Sequence, residues 1–238
     1  MDFKDERIAE AVKETMILRP PKQLLDTFGI TSIGYYMVTS PTYAEIDKHS
    51  EETVVRKGRV IANRPRVVTP YYLSRLEGFS DDARHYFETL MSQHGPNVPG
   101  IYYTYRNEPG ELSIVSESMQ MVVENLNSEI EKNNDPLMAI IKGRDDLWDV
   151  SLLKFIHQIT SHSMKGNLAQ MQSRGLLDVD SSGVPLEARV SIEEMFNRVQ
   201  EGELEPRDLK DELDHWGLFE DYQDRFFSLF QPAKIRRR

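Results

Sequence analysis

Between Thr53 and Arg75 the chain carries six cations, Arg56, Lys57, Arg59, Arg64, Arg66 and Arg75, and no Asp or Glu, in a protein of formal net charge -10. Arginine is the planar, bidentate donor suited to phosphate or carboxylate, and a strand alternates its side chains between two faces. The run V-V-R-K-G-R-V-I-A reads as two short strands joined at Lys57-Gly58, with glycine supplying the positive φ of a tight hairpin turn. R-P-R-V-V-T-P then reads as a third extended piece, an edge strand because Pro65 cannot donate to a ladder. With Arg56, Arg59, Arg64 and Arg66 on one solvent face, this hairpin forms a compact anion site. Tyrosine pairs at 35-36, 71-72 and 102-103, and Tyr105-Arg106, add ring surface for stacking. The candidate ligand-binding set is Arg56, Arg59, Arg64, Arg66, Tyr71, Tyr103 and Arg106. The competing reading makes these arginines edge-strand charges facing the surplus carboxylates, and the tyrosines packing residues of half-buried strands.

Other chemistries find less support. Asp82-x-x-His85 and Glu212-x-x-His215 each place a carboxylate and an imidazole on one helix face, as di-iron carboxylate bundles do. They lie in short helices of different halves without the further glutamates such sites need, so no metal and no cofactor is assigned. His157 and His162 are five positions apart and share no helix face. Ser161-His162-Ser163 lacks a G-x-S-x-G context, and there is no G-x-G-x-x-G, Walker A or H-E-x-x-H. Gly143-Arg144-Asp145-Asp146 reads as the start of the following helix, with aspartate near its N-terminus. With no cysteine, thiolate catalysis, disulfides and Cys-ligated zinc are excluded. No apolar run approaches the ~18 residues of a membrane span. The charged start M-D-F-K-D-E-R-I-A-E lacks a signal-peptide core, so a soluble cytoplasmic protein is expected.

The elements that must hold these residues follow from periodicity. Ile8, Val12 and Met16 predict an N-terminal helix, and P-P-K-Q-L-L-D-T-F-G a second one. I-T-S-I-G-Y-Y-M-V-T-S-P is the first strand. Ser80 caps a helix over D-D-A-R-H-Y-F-E-T-L-M-S-Q, and G-I-Y-Y-T-Y-R with E-L-S-I-V-S-E forms a second hairpin around Asn107-Glu108-Pro109-Gly110. A stripe at Met119, Val122, Val123, Leu126 and Ile130 predicts a helix. D-P-L-M-A-I-I-K-G leans to a strand. Trp148, Leu152, Phe155, Ile156 and Ile159 mark the strongest amphipathic helix, running past Gly166 to Met171. G-L-L-D-V-D-S-S-G is a loop or short hairpin. Three further helices start at Pro185, within E-P-R-D-L-K-D-E-L-D-H-W-G and within F-E-D-Y-Q-D-R-F-F-S-L-F.

Residues 1–110 hold 14 Lys/Arg against 15 Asp/Glu, whereas residues 111–238 hold 15 against 24, and nine of the ten tyrosines precede residue 110. This asymmetry predicts an α+β protein. A Tyr/Arg-rich domain with a mixed sheet and short helices covers 1–143, an acidic all-helical part 144–231, and a disordered basic tail 232–238. Residues 150–190 resemble a recognition helix followed by a wing. Lys154, Lys165 and Arg174 are the only cations between Asp149 and Asp178, however, and an acidic half repels phosphate. The function expected is a non-catalytic binding or interaction module whose basic hairpin meets an anionic small molecule or a protein partner. Alternatives are an enzyme acting on a phosphorylated or carboxylated small molecule, and nucleic-acid binding through the first half.

Overall fold

Strand β2 (Thr31–Thr39) carries apolar side chains on both faces, Ile33, Tyr35 and Met37 to one side and Tyr36 and Val38 to the other. Such a strand belongs in the middle of a sheet. The computed structural model, which describes residues 3–42, 52–69, 71–72 and 99–230, places it there. The chain is α+β, with a mixed five-stranded sheet from its first half and helices dominating its second. Its residues fall into two compact units, 1–65 with 103–168 and 66–102 with 169–238. The division expected near residue 143 falls just after a strand of the first unit.

In the first unit, β3 (Thr53–Ala62) pairs antiparallel with β2 from Thr31↔Ala62 to Thr39↔Val54. The strand β6 (Tyr105–Val115) continues the sheet beyond β3. On the other side of β2 lies β7 (Met138–Lys142), parallel to it, and then β1 (Met16–Arg19), giving the order β1-β7-β2-β3-β6. Helix α2 (Met119–Asn133) starts at Ser118, whose hydroxyl accepts from the Met121 amide. It ends at Asn134 in the left-handed region, φ 49°, one of the few non-glycine residues able to sit there. The helix puts Val122 and Ile130 on Tyr36, Val38, Val55 and Ile140. Helix α3 (Trp148–Ser173) covers the opposite face with Leu152, Phe155 and Ile159 against Ile33, Tyr35, Met37, Val60 and Ile141. Each such fully buried aliphatic or aromatic side chain contributes about 1.5–3 kcal/mol.

Helix α1 (Phe3–Glu14) packs by Ala11, fully buried, while Ile8, Val12 and Met16 are 37%, 38% and 55% exposed. The expected apolar stripe therefore points outward, because the small Ala11 face allows the closest approach. Lys154 donates to the carbonyls of Val12 (2.7 Å) and Thr15 (2.8 Å), satisfying orphan groups at the end of α1. Met16 belongs to β1, which four residues of M-I-L-R form by pairing with β7. The segment P-P-K-Q-L-L-D-T-F-G is not a helix.

Neither glycine read as a hairpin turn is one. Lys57 and Gly58 lie inside β3, where Gly58 stands opposite Tyr35. A Cβ on Gly58 would come 2.5 Å from the Tyr35 Oη and 2.7 Å from its Cζ. The glycine serves a close ring approach rather than a positive φ. Likewise Asn107-Glu108-Pro109-Gly110 lies inside β6: Arg56 pairs with Leu112 and Gly58 with Pro109, so Gly110 and Glu111 together face Lys57. This is a β-bulge, and a Cβ on Gly110 would come 2.8 Å from the Lys57 carbonyl oxygen. Pro109 is tolerated because β6 is an edge strand.

The second unit joins β4 (Arg66–Val68) to β5 (Gly100–Tyr102). It adds helices α4 (Leu186–Glu201), α5 (Pro206–Trp216) and α6 (Phe219–Ser228). Their core is Ala188, Ile192, Phe196, Leu209, Leu213, Trp216, Leu218 and Phe226. Trp216, Leu218 and Phe226 are thus packing residues of the last two helices, and Phe219 packs against them. Gly202 and Gly217 end α4 and α5 at φ 76° and 67°. The loop after α3 closes as a small hairpin with a Val179↔Pro185 bridge, held by Asp180, whose carboxylate accepts from Arg189 at 2.7 Å. Among the described residues no helix is long and apolar enough to cross a membrane. The helix expected after Ser80, the polar stretch near residues 43–51 and the basic tail lie outside the described residues.

Candidate functional site

The arginines of the basic stretch do not share a face. In β3, Arg56 points to the α3 side, where its Nη1 donates to Asp145 Oδ1 (2.6 Å) and to Thr39 Oγ1 (3.2 Å). Its guanidinium also lies 5.7 Å from the Trp148 ring. Arg59 points to the α2 side and donates to Glu108 (2.7 Å), which also accepts from Arg106 (2.8 Å). The Arg59 hydrogen bond, reinforced by Arg106, holds the Glu108 carboxyl below its ordinary value. Arg64 is half-buried in the first unit, and Arg66 and Tyr71 belong to the second. The Tyr103 hydroxyl meets Asn167 at 3.0 Å, and its ring stacks on Tyr105 with centroids 6.4 Å apart. Of the seven predicted residues the structure brings Arg59 and Arg106 together, on a carboxylate of the chain itself. The compact anion-facing hairpin is replaced by a continuous strand whose charges are divided between faces.

Arg66 illustrates where its anion went. It donates to Glu212, whose side chain is buried and also accepts from Tyr72 Oη (3.1 Å) and Trp216 Nε1 (2.9 Å). A second buried carboxylate, Glu187, accepts from the Val67 amide at 3.0 Å. Burial pushes the Tyr72 hydroxyl well above its ordinary pKa, and Glu212 adds to the shift. Burial opposes the charge of Arg66, but the adjacent Glu212 carboxylate outweighs it and keeps the guanidinium protonated. This network fastens β4 to α4 and α5; Tyr72 completes it by packing against His215 and Trp216.

A cleft of about 590 Å³ opens elsewhere, at the carboxyl ends of β2 and β7. These two form the parallel pair of the sheet, and in open α/β sheets the crevice beyond such strand ends is the usual ligand position. The segments after them, Ser40–Thr42 and Gly143–Asp146, line it together with Arg7 of α1 and Lys142 at the end of β7. Gly143 allows the loop to pass directly over Ser151 in the first turn of α3, where a Cβ would collide with the hydroxyl. Ser151 is itself fixed by the Thr15 hydroxyl at 2.8 Å, which ties α1 to α3.

Three acids line this cleft, Glu14 of α1, Asp145 and Asp146, and the two aspartates are engaged. Asp145 accepts from Arg56 (2.6 Å), Thr39 (2.8 Å) and Thr42 (3.4 Å). Asp146 accepts from Arg144 (3.1 Å) and Arg7 (2.8 Å). The Arg144 hydrogen bond, with Arg7 behind it, holds Asp146 below its ordinary value of 3.8, and the same bond raises Arg144. Lys142 is exposed and makes no ion pair among the described residues. A lowered carboxylate pKa contributes stability that is complete above the unfolded value and is lost as pH falls through the folded one. Asp146→Asn is therefore expected to lower the denaturation midpoint at neutral pH. Its deficit relative to the native protein should shrink as pH drops below about 4, which urea titrations at several pH values would measure.

Sequence reasoning read Gly143–Asp146 as a helix start and missed Arg7 and Lys142 altogether. The available signal was a buried apolar strand running directly through glycine and three charges into an amphipathic helix, the pattern of a strand–loop–helix junction. No protein-family model matches the chain, and no curated protein or solved structure is significantly similar to it.

Proposed function

We propose that the protein is a non-catalytic binding module that takes a carboxylate- or phosphate-bearing small molecule in the cleft beyond β2 and β7. The observation that carries this reading is Lys142, a solvent-facing ammonium at the parallel strand end whose neighbouring aspartates are already held by arginines. Its charge is available to a ligand, and the hydroxyls of Ser40 and Thr42 line the same space. The volume falls within the roughly 300–1,000 Å³ of small-molecule clefts. Binding is favoured over catalysis because a general acid or base needs a pKa near working pH. Here the shifts keep Asp146 ionised and Arg144 protonated at neutral pH.

The test is thermal unfolding in the presence of citrate, pyrophosphate and a sugar phosphate, with an uncharged sugar as control. A ligand at a hundred times its dissociation constant adds about 2.7 kcal/mol to stability, so at least one anion should raise the midpoint by several degrees. Lys142→Glu is expected to abolish the rise, while Arg59→Glu should leave it. No rise from any anion, or an undiminished rise in Lys142→Glu, would overturn the proposal.

A further inference from the structure

The five-stranded sheet ends in β1 on one side and β6 on the other. β1 is four residues long, whereas β6 runs for 11 and pairs, among the described residues, with β3 alone. Its first half is blunted as exposed edges usually are, by Pro109 without an N–H and by the bulge at Gly110-Glu111. The last four residues, Leu112–Val115, contain neither proline nor bulge.

Register fixes what this stretch presents. Pairing of Leu112 with Arg56 and Ile114 with Val54 puts both aliphatic side chains on the α3 side of the sheet, 59% and 54% exposed. Ser113 and Val115 face the α2 side, over a groove of about 360 Å³ also lined by Glu111, Glu117 and Glu129 of α2. The one cation in that groove, Lys57, already lies 5.4 Å from the Tyr36 ring.

We infer that Leu112–Val115 is a docking strand for an extended segment of another protein in which aliphatic residues alternate with Lys or Arg. Added as a sixth strand, such a segment gains main-chain hydrogen bonds from an edge that is open among the described residues. Its period of two lays aliphatic side chains over Leu112 and Ile114 and cations over Glu111 and Glu117. A second copy of this chain fits less well, because β6 against β6 gathers the glutamates of both copies on one face, and each molecule carries -10.

The inference is independent of the cleft beyond β2 and β7. The probe is a fluorescein-labelled ten-residue peptide of alternating Val and Lys, with a Val/Glu peptide as control, titrated by anisotropy at two salt concentrations. Saturable, salt-weakened binding of the Val/Lys peptide alone is expected, with at least a tenfold loss in Glu111→Lys and in Ile114→Lys. Both positions are exposed, and circular dichroism confirms that the variants are folded. Absence of binding, or equal binding by Glu111→Lys, overturns the inference. So does a sedimenting dimer that Ile114→Lys dissociates, which would assign the edge to a second copy.

Discussion

Glu212→Ala is expected to destabilise the protein by roughly 3 kcal/mol or more, the typical loss when one partner of a buried ion pair is removed. The Glu212 side chain is 6% exposed and that of Arg66 32%. Water therefore offsets part of the charge left on Arg66, which places the ionic contribution at the lower end of the range. Tyr72 Oη and Trp216 Nε1 also lose their acceptor, and an unsatisfied buried donor costs about 1–3 kcal/mol each. The comparison that identifies the cause is the double variant Arg66→Met with Glu212→Leu. Replacing both charges by apolar groups of similar volume should recover the ionic part of the loss, while the part due to Tyr72 Oη and Trp216 Nε1, which still lack their acceptor, remains. Urea denaturation of the single and double variants measures it. Equal midpoints for Glu212→Ala and the native protein would show that the carboxylate does not hold β4 to the helices.

Gly58→Val is the second large effect, at about 3 kcal/mol, the upper end for overpacking a filled site. The added atoms meet the Tyr35 ring and lie 3.0 Å from the Glu108 carbonyl oxygen, and neither a buried ring nor a paired backbone yields easily. Gly34→Ala provides the contrast. There the nearest atoms are those of the Met138 side chain, which is unbranched and adaptable, so a cost of about 1 kcal/mol is expected. Lys57→Asn separates strand from turn. An Asn-Gly turn would be stabilised by it, whereas asparagine within β3 should lower the midpoint, because asparagine is depleted in strands.

Much of the secondary structure was legible because its signals are local. The 3.6-residue stripes of α2 and α3 and the proline opening α4 depend on neighbours within a turn or two. Strands β2 and β7 were legible as apolar runs bounded by glycine or proline. The misreadings came from glycine and proline inside strands. Whether Lys57-Gly58 turns or continues depends on the Tyr35 ring across the sheet, and no local pattern encodes that approach. The four residues of β1 similarly become a strand through β7, far along the chain. At the site, the cations were visible but their partners were not. Arg56 finds Asp145 at a separation of 89 positions, and Arg66 finds Glu212 at 146. Charge counting over a window identifies candidate ligands for anions, and only tertiary pairing shows which are already satisfied. Lys142 went unnoticed because it is a single lysine, made conspicuous by the parallel pairing of β7 with β2.

The most direct test of the functional account is an amide chemical-shift titration with citrate and, separately, pyrophosphate. For at least one of them, saturable shifts should concentrate at residues 40–42 and 142–146, with the Arg7 side chain responding, and should vanish in Lys142→Glu. Shifts centred on Arg59 and Arg106, or none up to millimolar anion, would contradict it.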